Sequence, residues 1–174
     1  MVFQPLSRLR LNQRAFSAFV MAAAVWAAPG LAGAMSRMGE AEVLRKDGRP
    51  CFALSAKEVA RAPGVRVHAV MVSDESLKPV ANVWEASIDP ARTPTTLANC
   101  IVYGIAPVGA DATRPVELKT GHVYEVYLNG RSSEPDDSTQ GYVARFCFLI
   151  DARGGKNLLA VKPGSRAWRE GVCK

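Results

Sequence analysis

Histidine is the scarcest of the residues that do chemistry here: the 174-residue chain holds two, His68 and His122. An imidazole-based metal site would need both of them plus a carboxylate, and no local stretch assembles that set. A histidine with one satisfied hydrogen bond is the reading for each. The motifs H-E-x-x-H and G-x-S-x-G and the glycine-rich phosphate loop are all missing. Their absence removes the sequence signatures of zinc peptidases, nucleophile-elbow hydrolases and nucleotide-binding loops. No two cysteines lie closer than 26 positions, so no C-x-x-C pair offers a zinc site. Basic residues form no run, which leaves no electrostatic footprint for nucleic acid. There is no internal repeat and no low-complexity segment. No cofactor and no metal is therefore expected, and the chain reads as a binding protein and not an enzyme.

What is present begins with a leader. Arg8, Arg10 and Arg14 precede an apolar core from Ala15 to Ala28, broken only by Ser17, and no acidic residue occurs before Glu40. Fourteen residues suit the core of a secretory signal and fall short of a membrane span. Pro29 and Gly30 interrupt any longer anchor. Ala32-Gly33-Ala34 supplies the small residues a signal peptidase requires, which places the cut between Ala34 and Met35. Leu9 separates Arg8 from Arg10, against a twin-arginine signal. A lipoprotein signal would need a cysteine at the cut, and Ala34 stands where it would be. The expectation is a signal peptide over 1–34 and a single domain over 35–174, released unlipidated into the periplasm with no membrane span after cleavage.

Without the leader the charge falls from +6 to +3, with 19 basic and 16 acidic residues interspersed. The four cysteines, Cys51, Cys100, Cys147 and Cys173, all lie in the mature part, and an even number in an exported domain reads as two disulfides. Three pairings are possible; sequential oxidation during export favours Cys51–Cys100 and Cys147–Cys173. Each bridge should contribute roughly 2–4 kcal/mol.

The mature chain reads as short strands between turn signals. Asp47-Gly48 between two extended runs predicts a hairpin, and Pro50 predicts an edge on one side of the second strand. Ser55-Ala56-Lys57-Glu58 is a capping box that opens one short helix, ended by Pro63-Gly64. In Val65–Val72, the residues Val65, Val67, Ala69 and Met71 are assigned to one face. Strands follow over Val80–Ser87, the apolar run Cys100–Ile105, His122–Leu128, Tyr142–Ile150 and Asn157–Val161, with Gly104 marking a bulge or a close approach. The tail, Lys162 to Lys174, holds Trp168 and Cys173, and a disulfide there would fasten an end that would otherwise fray. Seven or eight short strands and one short helix predict an all-β fold, an antiparallel β-sandwich or open barrel.

Paired carboxylates occur at Asp74-Glu75 and Asp136-Asp137. A glycosidase needs its two acids about 5–10 Å apart on rigid elements, so both pairs are read as solvated turns, and a cell-wall hydrolase using Asp136 or Asp137 is the weakest of three functions. Trp84, Tyr103, Tyr124, Tyr127 and Tyr142 are read as core aromatics, or as tyrosines with the hydroxyl at the surface, and not as a sugar platform. The acidic loop with Glu134, Asp136 and Asp137 is the one stretch singled out as a contact for a protein partner, able to enter a basic cleft.

The order of Arg49-Pro50-Cys51-Phe52, a strand ending near Trp84, Asn99-Cys100-Ile101-Val102-Tyr103-Gly104, Gly121-His122-Val123-Tyr124-Glu125-Val126 and Tyr142-Val143-Ala144-Arg145-Phe146-Cys147 resembles the type VI secretion system immunity periplasmic (lipo)protein family of Gram-negative bacteria, over about residues 40–150. The resemblance implies a small β-rich domain that binds and blocks a cognate toxin effector delivered to the periplasm. Many members are lipid-anchored, and Ala34 departs from that pattern. The alternative is a structural or accessory protein of a cell-envelope or secretion assembly.

Overall fold

The hairpin signal sits where the chain first reverses. Asp47 and Gly48 both take positive φ, 49° and 78°, as a two-residue turn matched to strand twist requires. They join β1, Arg37–Lys46, to β2, Arg49–Leu54, in antiparallel register. A computed structural model describes residues 36–91, 96–132 and 134–173. The leader and its cleavage point, Ala34–Met35, lie outside the described residues.

Helix α1, Ala56–Arg61, follows with Ser55 as its cap: the Ser55 hydroxyl accepts from the Glu58 N–H at 3.3 Å. Then come β3, Arg66–Asp74; β4, Ala81–Ser87; the two-residue β5, Ile101–Val102; β6, Val123–Arg131; β7, Thr139–Ile150; and β8, Lys156–Val161. A second short helix, α2, Arg166–Glu170, lies in the tail, with Ser165 as cap and Gly171 at φ 66° as left-handed C-cap. The sheet runs β4-β3-β6-β7-β1-β2-β5, with β8 also on β7.

The fold is thus all-β, a curled sheet forming a half-barrel, with two particulars beyond the expected antiparallel design. One pair is parallel: Arg37–Glu40 of β1 lies beside Thr139–Val143 of β7. From Ala41 onward β1 leaves β7 and pairs with β2, which carries β2 and β5 over the concave face. The twelve-residue β7 therefore has two neighbours on one side, β1 on its first half and β8, Arg145–Ile150 against Lys156–Val161, on its second.

Alternation fills the core. Tyr124, Val126 and Leu128 of β6 face inward with Tyr142, Phe146 and Phe148 of β7, and Phe52, Leu54, Ile101 and Tyr103 close over them. Phe52 meets Phe146 at 5.7 Å between ring centres, and Trp84 meets Tyr103 edge-on at 5.3 Å. In β3 the expected face is broken by a bulge between Val67 and Ala69, so Val67, Val70 and Val72 are buried while Met71 turns outward. One extra residue in an otherwise strict period of two moves every later side chain to the opposite face. Gly104, at φ 74°, sits where a Cβ would come within 2.9 Å of Pro115.

Both disulfides favoured from the sequence are present, Cys51–Cys100 and Cys147–Cys173. The second draws the tail across the convex face of β6–β8, where Val123, Cys147, Val161 and Cys173 form a small separate core with Trp168. Cys173 N–H also donates to the Gly121 carbonyl at 3.0 Å.

The parallel β1–β7 contact depends on Gly39. A Cβ there would sit 2.3 Å from the ring of Tyr142, which is fully buried and cannot swing away. Gly39→Ala is expected to lower stability by about 1–3 kcal/mol, as overpacking does, read as a fall in urea midpoint. An unchanged midpoint would show that the pair is looser than described.

Candidate functional site

Three side-chain groupings and one groove stand out. The first is a buried ion cluster where α1, β1 and the β6–β7 loop meet. The Glu58 carboxylate is fully buried. It accepts from both terminal nitrogens of Arg37, one at 2.8 Å, and from Arg61 Nε at 2.9 Å. Arg61 reaches on to Asp137 Oδ1 and to Thr139 Oγ1, both at 2.8 Å. The bonds from Arg37, with burial opposing and Arg61 assisting, hold the Glu58 carboxyl down at about 2. Arg61 first, then the Thr139 bonds, depresses Asp137 further still. Asp137 Oδ2 and the Tyr142 hydroxyl are buried without a hydrogen-bond partner among the described residues. Burial, then the nearby Asp137 charge, raises the Tyr142 phenol.

Of the acids expected to face a partner, Asp137 is therefore turned inward, its side chain only 6% exposed. Glu134 and Asp136 lie on the surface. The reading of Asp136-Asp137 as a solvated turn holds for Asp136 alone. Asp74-Glu75 departs from that reading too. Asp74 ends β3 buried, taking the Ser76 N–H at 3.0 Å and meeting His122 Nδ1 at 2.8 Å. Here the imidazole has the satisfied bond expected of it.

The second grouping centres on Arg145, on the convex face of β7. It bonds Glu125 at 2.8 Å and Glu75 at 2.9 Å, donates to the Trp168 carbonyl, and lies 4.5 Å from the centre of the Trp168 ring. With Ser76 donating to the Gly171 carbonyl, it seats α2 against the sheet. The third is the mouth of the half-barrel, a hollow of about 370 Å³ with Tyr103, Pro115 and Phe148 in its wall and Arg49 and Lys156 beside it. Lys156 is already committed there, donating to the Leu118 carbonyl at 2.6 Å and lying 4.6 Å from the Phe148 ring centre.

The groove lies where β1 parts from β8. Two adjoining hollows of about 430 and 320 Å³ share Glu40, Val143, Pro163 and Trp168. Their floor is β7 at Val143–Arg145; one wall is β1 from Met38 to Val43, the other Ala160–Lys162 of β8. Met38 stands 49% exposed in it. Beside it runs the outer edge of β8, which pairs with β7 on its other side and with no further strand among the described residues. The opposite end of the sheet is different. There the segment 111–116 covers β4, with Ser87, Thr113 and Val116 N–H groups bonded across at 2.8–3.0 Å.

Among the described residues no group of three or more histidine, cysteine and acidic side chains could hold a metal ion, and no helix is long and apolar enough to cross a membrane. Sequence reasoning missed the β8 edge because strand order is not a local property, though Asn157–Val161 itself was read as a strand. Fold and surface together define, among the described residues, a disulfide-clamped β half-barrel with an open six-residue strand edge beside a groove. Compared with models of known families, with curated proteins and with solved structures, the chain matches none.

Proposed function

We propose that the protein is an exported periplasmic binding protein that neutralises a toxin delivered to that compartment, an immunity protein. The observation that carries this reading is the open edge of β8 beside the groove. An uncovered edge presents a row of backbone donors and acceptors, which natural folds normally shield and which serves a protein partner well. The two disulfides support work outside the cytosol, where such bonds persist. The leader-like start of the sequence supports export in the same sense. An inhibitor needs stability and one complementary surface, and its affinity comes from a few buried anchors.

The experiment is co-expression. Cells carrying a toxin gene encoded next to this one, directed to the periplasm, should survive when this protein is also exported. The two proteins should co-purify. Death of the cells together with failure to co-purify would overturn the reading. Loss of an envelope assembly on deletion would favour the accessory role instead.

A further inference from the structure

We infer that the outer edge of β8 takes up an extended, acid-ended segment of a partner protein as an added antiparallel or parallel strand; this rests on the protein-binding reading above. The edge is six residues long, Lys156–Val161, about 20 Å of strand. It carries no proline and only the charge of Lys156, whose ammonium is committed to the Leu118 carbonyl and the Phe148 ring. Lys156 blunts only the first position of the edge; from Asn157 to Val161 no charge, proline or covering segment protects it among the described residues. Leu159 stands 43% exposed at its middle.

The occupant's charge follows from what flanks the edge. Residues 151–173 contain five basic and two acidic side chains, whereas 35–150 contain thirteen and fourteen. Of its two acids, Glu170 pairs with Arg166, while Asp151 accepts from the Arg153 and Gly155 N–H groups and from Asn157 at 2.7–3.1 Å, neutral donors that leave its carboxylate charged but turned into its own loop. The stretch keeps an excess of three positive charges. Arg153 and Lys162 are exposed, one beyond each end of β8. A segment pairing along the edge passes between these two cations, so acids at its ends find a partner at either end whichever way it runs. The same arrangement opposes a second copy of the chain. Antiparallel self-pairing of β8 would bring the Lys162 end of one copy to the Arg153 end of the other, and like charges opposed across strands repel. Acid ends also speed encounter by electrostatic attraction.

The test uses two capped heptapeptides, Glu-Val-Thr-Val-Thr-Val-Glu and the same peptide ended by lysines, titrated against the full mature protein at low salt. The acid-ended peptide is expected to bind at least tenfold more tightly. It should slow hydrogen exchange at alternate amides of 156–161 and leave 81–87 unchanged. The double variant Arg153→Glu, Lys162→Glu changes only exposed side chains and should reverse the preference. Equal or absent binding of both peptides would overturn the proposal, as would protection located elsewhere. A concentration-dependent dimer protected along β8 would overturn it in favour of self-pairing. In the toxin assay, full protection by the charge-reversed variant would overturn this surface and leave the immunity reading standing. A wild-type protein that docks the acid-ended peptide but never protects would do the reverse.

Discussion

Glu58→Gln is expected to lower the stability of the domain by about 2–3 kcal/mol and to flatten its response to acid. The carboxylate is wholly enclosed and receives three charged hydrogen bonds, two from Arg37 and one from Arg61. Glutamine keeps the shape but replaces one acceptor oxygen by an N–H₂ group that points donors at a guanidinium. The loss stays below the largest seen for broken buried pairs because both guanidiniums, at 35% and 34% exposed, can turn to water. The acid response follows from linkage. Glu58 titrates at about 2 in the folded chain against an ordinary 4.5. Its contribution, about 3 kcal/mol at most, is complete above pH 4.5 and drains away as pH falls toward 2. Asp137 is depressed in the same direction. Urea midpoints measured from pH 6 to 2.5 should fall steeply for the natural chain and more shallowly for the variant. Asp136→Asn, on the exposed neighbour, should change the midpoint at pH 6 by less than about 0.5 kcal/mol. Equal slopes for the natural chain and Glu58→Gln would mean that the Glu58 carboxylate contributes nothing to the acid response.

This cluster also shows where sequence reading stops. Ser55 to Glu58 has the spacing of a capping box, and half of the box forms: Ser55 takes the Glu58 N–H. The other half does not, because the Glu58 side chain turns to Arg37 and Arg61. Arg37 lies 21 positions away and Asp137 is 76 from Arg61, so no window of sequence contains the competition. The same holds for the parallel β1–β7 pair, which joins positions about a hundred apart. Features of short range were legible: the Asp47-Gly48 turn, the alternation of Val123–Leu128, and the aromatics Trp84, Tyr103, Tyr124 and Tyr142 as core, with Tyr127 half-buried outside it. The bulge at Val67–Ala69 and helix α2 were not. A bulge leaves no residue signature there, and α2, though capped by Ser165 and Gly171, is too short to show a period. The candidate binding edge is the extreme case. Its residues were read correctly as a strand, but whether a strand has one neighbour or two is decided by the whole sheet.

Removing Cys51–Cys100 by paired alanines should destabilise the whole domain by about 4 kcal/mol, and removing Cys147–Cys173 should loosen chiefly the tail. The first bridge spans 49 positions, enclosing α1, β3 and β4, and ties β2 to the approach of β5. Opening it returns that loop's freedom to the unfolded chain and unpins the strands that cover the concave face. The second spans 26 positions, for which chain entropy alone gives about 3.5 kcal/mol. That figure applies to global unfolding only if the tail stays docked until everything unfolds. Its other attachments are the Gly121–Cys173 backbone bond, the His122–Val172 bridge, the Ser76–Gly171 bond, the Arg145–Trp168 contacts and the small apolar core around Trp168. Local release of residues 162–173 then becomes the cheaper opening. Amide exchange in α2 should rise at least tenfold while the β6 and β7 amides keep their protection, and the global urea midpoint should move by the equivalent of about 1–2 kcal/mol. A full 3.5 kcal/mol global loss with no selective exchange in α2 would instead make the tail part of the cooperative core. The distinction bears on the binding edge. The tail leaves β8 directly after Val161, so a tail that opens alone frees the Lys162 end of the edge while the pairing of β8 with β7 holds the rest in place.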